Sequence, residues 1–396
     1  MTRQPRPPEP PEGQCVARVA RLGEARSVLR AKDATTQAGF TAERIPQGLF
    51  ARRPILIDDG PEHLEHRKQL VRFFSPRTLE ERHRAFIERT ASDLVAEAVR
   101  AGRCRVDELA LTCSVRVAAQ IVGLATGSDR GLERRLEAFF RQPPVDHTRA
   151  DHGRTRADWA RAARRALGPL AALYWRDVRP AIRARRARPA DDIISHLLAQ
   201  GYRPREILVE CLTYGTAGMV TTREFIGMAL WRLLDDPELL AHYRSSEPPE
   251  RLALLSELIR LDPPVAHLYR RVRATADGCP HAPGTLVDVD VRRANTDPEA
   301  FGPDPGAVDT RRGLPAGART GLSFGDGAHR CPGSHLALLE TEVLLTALID
   351  AGAAIEHEPD LGFDTLVQGY RVRDFVVSFG TAGGRRDEPA REGPGR

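Results

Sequence analysis

Residues 324–333 read Phe-Gly-Asp-Gly-Ala-His-Arg-Cys-Pro-Gly. Gly325 and Gly327 let the backbone turn sharply and approach a flat ligand closely. Cys331 stands where a helix N-cap is expected, with Pro332 at the first helical position. The positive end of such a helix favours a thiolate. The nearest other cysteine in the sequence is Cys279, and the six cysteines include no Cys-x-x-Cys, which excludes a zinc ribbon or a disulfide scaffold. A glycine turn feeding one thiolate suits ligation of a soft or borderline metal by a single sulfur.

Downstream, the pattern predicts a long helix opened by Cys331-Pro332 and running to about 351, then strands near 354–358 and 373–379. Upstream, residues 294–323 are rich in Pro, Gly and Asp without a period, the kind of long coil that has a function in a compact domain. Before it come strand-like pieces at 268–275 and 285–292, a helix over 248–261 closed by Asp262-Pro263-Pro264, and a long helix over about 205–235. At about 1.5 Å per residue the long helix spans roughly 45 Å, so it is expected to cross the core. Further helices are expected around Leu64–Val71 and over 77–101, 113–125, 130–141, 155–187 and 191–199, with a strand and a helix within Val16–Arg30. The expected fold is mainly α with minor β. A single large domain over 15–381 has a helix-rich lobe and a small β-rich lobe, between disordered tails at 1–14 and 382–396.

The run 324–333, with Leu336, Ala337 and Glu340 after it, resembles the haem-binding loop of the cytochrome P450 family (FGxGxHxCxG, then xxLAxxE) at every fixed position. The P450s are the usual example of cysteine-thiolate haem ligation. The resemblance covers roughly 15–380. It implies a P450 fold and a haem b (iron protoporphyrin IX) with Cys331 as the iron ligand. Phe324, Gly325, His329 and Gly333 are then loop contacts to the haem. Glu257 and Arg260 share a helix face and match the family's ExxR, which implies a structural pair locking the coil that holds the loop. His63 and Arg67 lie one helical turn apart and match HxxxR, which implies a cationic pair for the two propionates. A zinc site at His63 and His66 lacks HExxH and a third ligand. One more propionate arginine is expected within Tyr269-Arg270-Arg271-Val272-Arg273. Counting forward from Pro264 favours Arg270, with Arg271 the second choice. On the long helix Ala217, Gly218 and Thr221 match AGx(D/E)T, which implies the oxygen pocket, with Thr221 steering protons.

Two positions depart from the family pattern. Val220 stands where the helix acid belongs. Thr221 with ordered water, a substrate group or Glu224 can stand in for it, or the chemistry has another proton demand, such as radical coupling, nitration or peroxide-driven oxidation. Ala307 stands where a third structural arginine is usual, and Arg311 or Arg312 is the candidate replacement.

The 396 residues are 41% hydrophobic and 29% charged, a soluble globular composition. No apolar run approaches the ~18 residues of a membrane span, and the polar, proline-rich start carries no signal peptide, so a cytoplasmic location is expected. The net charge of +5 is carried almost wholly by arginine, Lys32 and Lys68 being the only lysines. Aromatics make up 6% and do not interleave with the arginines, which argues against nucleic-acid binding. The resemblance implies a haem-thiolate monooxygenase acting on a small organic substrate. The arginine-rich, lysine-poor composition points towards natural-product tailoring. Electrons are expected from a ferredoxin and its reductase, docking near the Cys331 loop beside Arg330, Arg72 and Arg77. Substrate contacts are expected from 41–59, the long helix, Val265–Leu268 and Gln368–Tyr370, with His267 either touching substrate or serving the structure. A haem protein without turnover is the rival from another class.

Overall fold

The computed structural model describes residues 16–44, 52–124, 129–140, 143–149, 151–276 and 279–380. The tails expected at 1–14 and 382–396 lie outside the described residues. Strand β1 (Val16–Val19), helix α1 (Leu22–Arg30) and strand β2 (Thr35–Gln37) come first. Helices α2 (Pro61–Val71), α3 (Pro76–Thr78) and α4 (Arg84–Ala101) follow, the last two joined by a π turn at Leu79–His83. Next are β3 (Arg103–Arg105), α5 (Val106–Val122) and α6 (Asp129–Phe140). Helix α7 (Arg156–Leu173) runs through a second π turn, Tyr174–Val178, into α8 (Arg179–Ala187). After α9 (Ile193–Ala199) come α10 (Pro204–Asp235), α11 (Pro237–Ser245) and α12 (Pro248–Leu261). Strands β4 (His267–Val272) and β5 (Leu286–Asp290) lead to the short helices α13 (Val291–Ala294) and α14 (Pro298–Phe301). Helix α15 (Ser334–Asp350) and strands β6 (Ala353–His357), β7 (Asp360–Asp364), β8 (Gly369–Arg373) and β9 (Val376–Phe379) close the fold.

The fold is mainly α with minor β, as the sequence predicts. The strands form sheets ordered β1-β5-β4-β2, β3-β9-β6 and β7-β8. Helix α5 begins at Val106, seven residues before its expected start, because it is buried on nearly all sides and shows little amphipathic period. The β7–β8 hairpin was not expected, since its first strand reads Asp-Leu-Gly-Phe-Asp, a poor strand sequence.

Helix α10 is the core helix. Pro204 opens it, and the Glu206 carboxylate accepts from Arg203 N at 2.7 Å. Asp236 ends it by turning its carboxylate to the first amides of α11, Glu238 and Leu239, at 3.0 Å each. Helix α5 packs against α10 where Gly218 faces Ala118; a methyl on Gly218 would meet the Ala118 Cβ at 4.0 Å.

The coil before α15 is fixed by one buried arginine. Arg260 is fully buried, and all five of its N–H donors find acceptors. Nε and Nη2 donate to the two Glu257 oxygens at 2.8 and 2.7 Å. Nη1 donates to the carbonyls of Asn295 and Pro305 at 2.7 Å each, and Nη2 also reaches Ala307 O at 3.2 Å. Arg312 supplies the replacement for the arginine missing at Ala307. Its guanidinium reaches Glu257 Oε2 at 3.3 Å, Asp304 O at 2.7 Å, Ala307 O at 3.0 Å and the Phe301 carbonyl. Arg311 remains exposed.

Asn295 passes this order to the glycine turn. Its amide donates to Arg260 O and Ser323 Oγ at 2.9 Å each, and its carbonyl accepts from Leu322 N. Ser323 Oγ in turn donates to Ile259 O at 2.7 Å. Replacement of Arg312 by Ala removes four acceptor contacts and should lower the unfolding free energy by about 1–3 kcal/mol. Arg311→Ala should stay within about 0.5 kcal/mol of wild type in the same urea titration.

Candidate active site

The 324–333 turn is held from two sides. Cys331 N donates to Phe324 O at 2.8 Å, and Gly325 N to Leu322 O at 2.8 Å. Gly327 has φ +65°, and a Cβ there would lie 2.2 Å from Leu29 O, so α1 closes on the bare backbone. Asp326 pairs with Arg30 at 3.0 Å and Arg26 at 3.6 Å of the same helix. Helix α15 starts at Ser334 with Gly333 as its cap, so Cys331 lies ahead of the N-cap expected for it. Its local support is instead the Gly333 N–H. Burial pushes the Cys331 thiol above its ordinary value, opposed by that N–H and by the Arg67 and Arg330 charges.

Helix α2 brings His63 and Arg67 to the turn. Arg67 donates to the Arg330 carbonyl and stands within electrostatic reach of both Cys331 and Tyr214 of α10, so it spans from the loop to the core helix. His63 stacks on His329 with ring centroids 4.4 Å apart. Burial, then the neighbouring His329 and Arg67, push the His63 pKa down to about 4. At pH 7 the expected pair of cations is therefore one guanidinium and one neutral imidazole. Neither His63 nitrogen has a partner among the described residues.

Strand β4 separates the two candidate arginines. Arg270 is buried and donates only to neutral oxygens, Gln37 Oε1 and Tyr269 O (3.1 Å). Burial lowers its pKa to about 10, against the pull of Asp59. Arg271 points the other way and forms a bidentate pair with Glu43 at 2.9 Å, so the second choice is corrected: alternation along the strand turns it outward. Asp59 and Gln37 were not visible as site residues in the sequence. Asp59 accepts from His329 Nε2 at 2.9 Å and Gln37 N at 3.0 Å; burial opposes its ionisation, but these donors keep its carboxyl below the ordinary value.

On α10, Ala217 is exposed in the middle of an otherwise buried helix, and Thr221, one turn on, is partly exposed beside it. Both therefore face an accessible cleft. Thr221 Oγ1 donates to Ala217 O at 2.9 Å, leaving its lone pairs free to accept. Gly218 is partly exposed beside them and also packs on α5, where a methyl would meet the Ala118 Cβ. Val220 is buried. Glu224 does not stand in for the missing acid, because its carboxylate is held by Arg373, Arg223 and the Val372 amide (2.7 Å). His267 is a structural residue, buried and bonded to Asp288 Oδ1 at 2.8 Å.

A second acid on α10, Glu210, escaped the sequence reading. A lone glutamate inside the apolar run Ile-Leu-Val-Glu-Cys-Leu was its signal. Ile55 N donates to Oε1 at 3.2 Å, and Oε2 has no partner among the described residues. Burial pushes its pKa from 4.5 to about 8, and Asp58 adds to this.

A family model for cytochrome P450 matches residues 252–351, from α12 through the turn to α15. Erythromycin C-12 hydroxylase of Saccharopolyspora erythraea is 30% identical over 317 residues, which cover 74% of this chain and 71% of that protein. The chain belongs to the cytochrome P450 family. Among solved P450 structures, a mutant of P450 EryK in complex with erythromycin B has a TM-score of 0.73 at 26% identity, over 92% of this chain and 90% of that one. CalO2 has a TM-score of 0.76 at 25% identity, over 92% and 91%. Membership makes this P450 a monooxygenase-type oxidoreductase and implies a haem. The residues present fit one. A buried guanidinium without a carboxylate in contact, two unpartnered imidazole nitrogens and Arg67 together suit a flat ligand with acidic edge groups.

Arg270→Leu is expected to weaken haem retention markedly, while Arg271→Leu leaves it near wild type, as read by haem transfer to apomyoglobin. The folded Glu210 carboxyl binds its proton more tightly than the unfolded chain does. Its contribution to stability is thus present below about pH 4.5 and is lost as pH rises through about 8. Glu210→Gln should lose less stability than wild type over that interval in thermal melts.

Proposed function

We propose that this P450 binds haem b with Cys331 as the iron ligand and hydroxylates, or otherwise oxidises, a small organic substrate in the α10 cleft. The convergence of Cys331, Arg67, Arg270, His63 and His329 on one cleft carries this reading. When bound, the haem supplies oxygen activation, with the thiolate pushing electron density to the iron. Arg67 and Arg270 would neutralise the propionates, and His63 would donate a hydrogen bond from a neutral ring. Phe324, Gly325 and Gly333 would meet the haem from the loop.

The net reaction consumes the substrate C–H, dioxygen, two electrons and two protons, and yields the alcohol and water. Helix α10 offers no carboxylic acid beside Thr221, so Thr221 Oγ1 with water would hold and pass those protons at the cleft. Electrons would come from a ferredoxin and its reductase approaching the Cys331 loop, where Arg330 is exposed. Arg77, paired with Glu81, and Arg72, set against Phe73 and His196, are exposed as well and would belong to that surface. A cytoplasmic location belongs to this reading, and no helix among the described residues is long and apolar enough to cross a membrane. Natural-product tailoring is the role this chemistry suits, and the named relative acts as an erythromycin C-12 hydroxylase.

Val220 and the occupied Glu224 favour a second reading, in which hydrogen peroxide supplies oxygen and both reducing equivalents. The dithionite-reduced protein with carbon monoxide should show the red-shifted Soret band of thiolate ligation, and Cys331→Ala should abolish it; an unchanged band in the variant overturns Cys331 as ligand. Thr221→Ala should divert most reducing equivalents into peroxide or water while reduction itself stays intact. Coupling equal to wild type would remove Thr221 from proton delivery. Product formed equally well from peroxide alone in both proteins would establish the second reading.

A further inference from the structure

Helix α7, its π turn and α8 form one rod from Arg156 to Ala187, about 48 Å long. It carries nine arginines and two aspartates, an excess larger than the +5 of the whole chain. The rest of the protein is thus slightly acidic, and this rod holds the basic surplus. The two aspartates offset little of this. Asp177 is buried against Arg135 of α6 at 2.6 Å, and Asp158 caps the helix through Thr155 and pairs with Arg161 alone of the rod's arginines, at 3.8 Å. Arg164, Arg165, Arg176, Arg183 and Arg186 are exposed, and among the described residues none has a carboxylate partner.

Two large apolar side chains stand among these charges. Leu167 is 64% exposed and Trp175 58%, and only Val71 and Val99 are comparable among the described residues. The Trp175 ring is held, with Arg179 stacked over it at 4.6 Å and Tyr174 edge-on at 5.3 Å. A fixed, exposed tryptophan ringed by arginines has the make-up of an interface anchor. A membrane-surface helix would need a continuous apolar face, and single-stranded nucleic acid would need a row of exposed aromatics for successive bases to stack on, where the described residues of this rod expose one, Trp175. The pattern fits an acidic protein.

The place of the rod in the fold narrows the partner. An electron donor must approach the Cys331 loop, which rests on α1 and α2, whereas α7 packs on α6 and α8 on α9. The segment leading into α7 reaches the β7–β8 turn and β4. Val145 N donates to Thr365 Oγ1 at 3.0 Å in the β7–β8 turn, and the His147 ring stacks on Tyr269 of β4 at 5.2 Å. Tyr269 in turn bonds Gln368, so a protein docked on α7 stands beside the segments expected to meet substrate, Val265–Leu268 and Gln368–Tyr370.

We propose that the solvent face of α7–α8 docks a small acidic carrier domain, which presents a covalently tethered substrate to the cleft. This rests on the monooxygenase reading for its purpose, though not for the binding itself. The test uses haem-loaded protein and two purified probes, a phosphopantetheinylated acyl carrier protein and a phosphopantetheinylated peptidyl carrier protein, in calorimetric titrations. Saturable one-to-one binding to at least one carrier is expected, weaker at high salt. It should fall about tenfold or more in Arg164→Glu with Arg183→Glu and in Trp175→Ala, and stay unchanged in Arg311→Glu. Circular dichroism and the carbon monoxide spectrum should stay as in wild type in every variant. No saturable binding to either carrier, or binding indifferent to the arginine reversals, overturns the proposal. Binding of phosphatidylglycerol vesicles with the same dependence on Arg164, Arg183 and Trp175, and none of a carrier, also overturns it and assigns the face to a membrane surface. Carrier binding by a protein that lacks the thiolate Soret band would sink the monooxygenase reading and leave the docking surface standing.

Discussion

The structure depends on the satisfaction of Arg260. Burying a guanidinium costs several kcal/mol unless every donor finds an acceptor and the charge finds a counterion. Here five donors meet five acceptors, two of them on Glu257 and three of them carbonyls of the coil. A coil rich in proline and glycine has little regular backbone pairing of its own. The arginine supplies that pairing from outside, and Asn295 and Ser323 extend it to the turn that carries Cys331. Any loosening of the α12 pair would thus be felt at the thiol, although neither side chain touches it.

The cleft shows a division of labour among charges. The edge beside α2 and β4 carries Arg67, Arg270 and neutral imidazoles, with Asp59 held by His329 and Gln37. The acids of α10 are placed elsewhere: Glu224 is locked into the β8 strand, and Glu210 is buried with a pKa of about 8. The position where the family keeps an acid is apolar. Thr221 therefore offers its hydroxyl beside Ala217 with none of the acids described on α10 next to it.

Much of this was legible in the sequence because the motifs that matter are local. Glu257 and Arg260 are three residues apart on a helix, His63 and Arg67 four apart, and the glycine turn is contiguous. What was not legible is what distant segments do to each other. Gln37 and Asp59 become site residues only because β2 pairs with β4 and places Gln37 beside Arg270. Counting forward from Pro264 put Arg270 ahead of Arg271, but only the phase of β4 gives the reason, turning Arg270 inward and Arg271 towards Glu43. Arg312 could be named only as one of two candidates, because the coil's course fixes which guanidinium reaches Glu257. Gly218 also packs on Ala118, a contact no spacing rule within α10 could reveal.

The seating of Gly327 on Leu29 has a consequence for how the molecule is made. The turn needs α1 as its floor, so residues nearly three hundred positions apart in the chain must meet before it takes its final shape. The parallel pairing of β1 with β5 imposes a similar long closure. Such non-local contacts form late, since their loop entropy is compensated only when the intervening structure is in place. During synthesis from the N-terminus, α1 must wait until almost the whole chain has emerged. The pocket around Cys331 is then among the last features to become rigid, and a ligand that requires it selects chains that are already nearly folded.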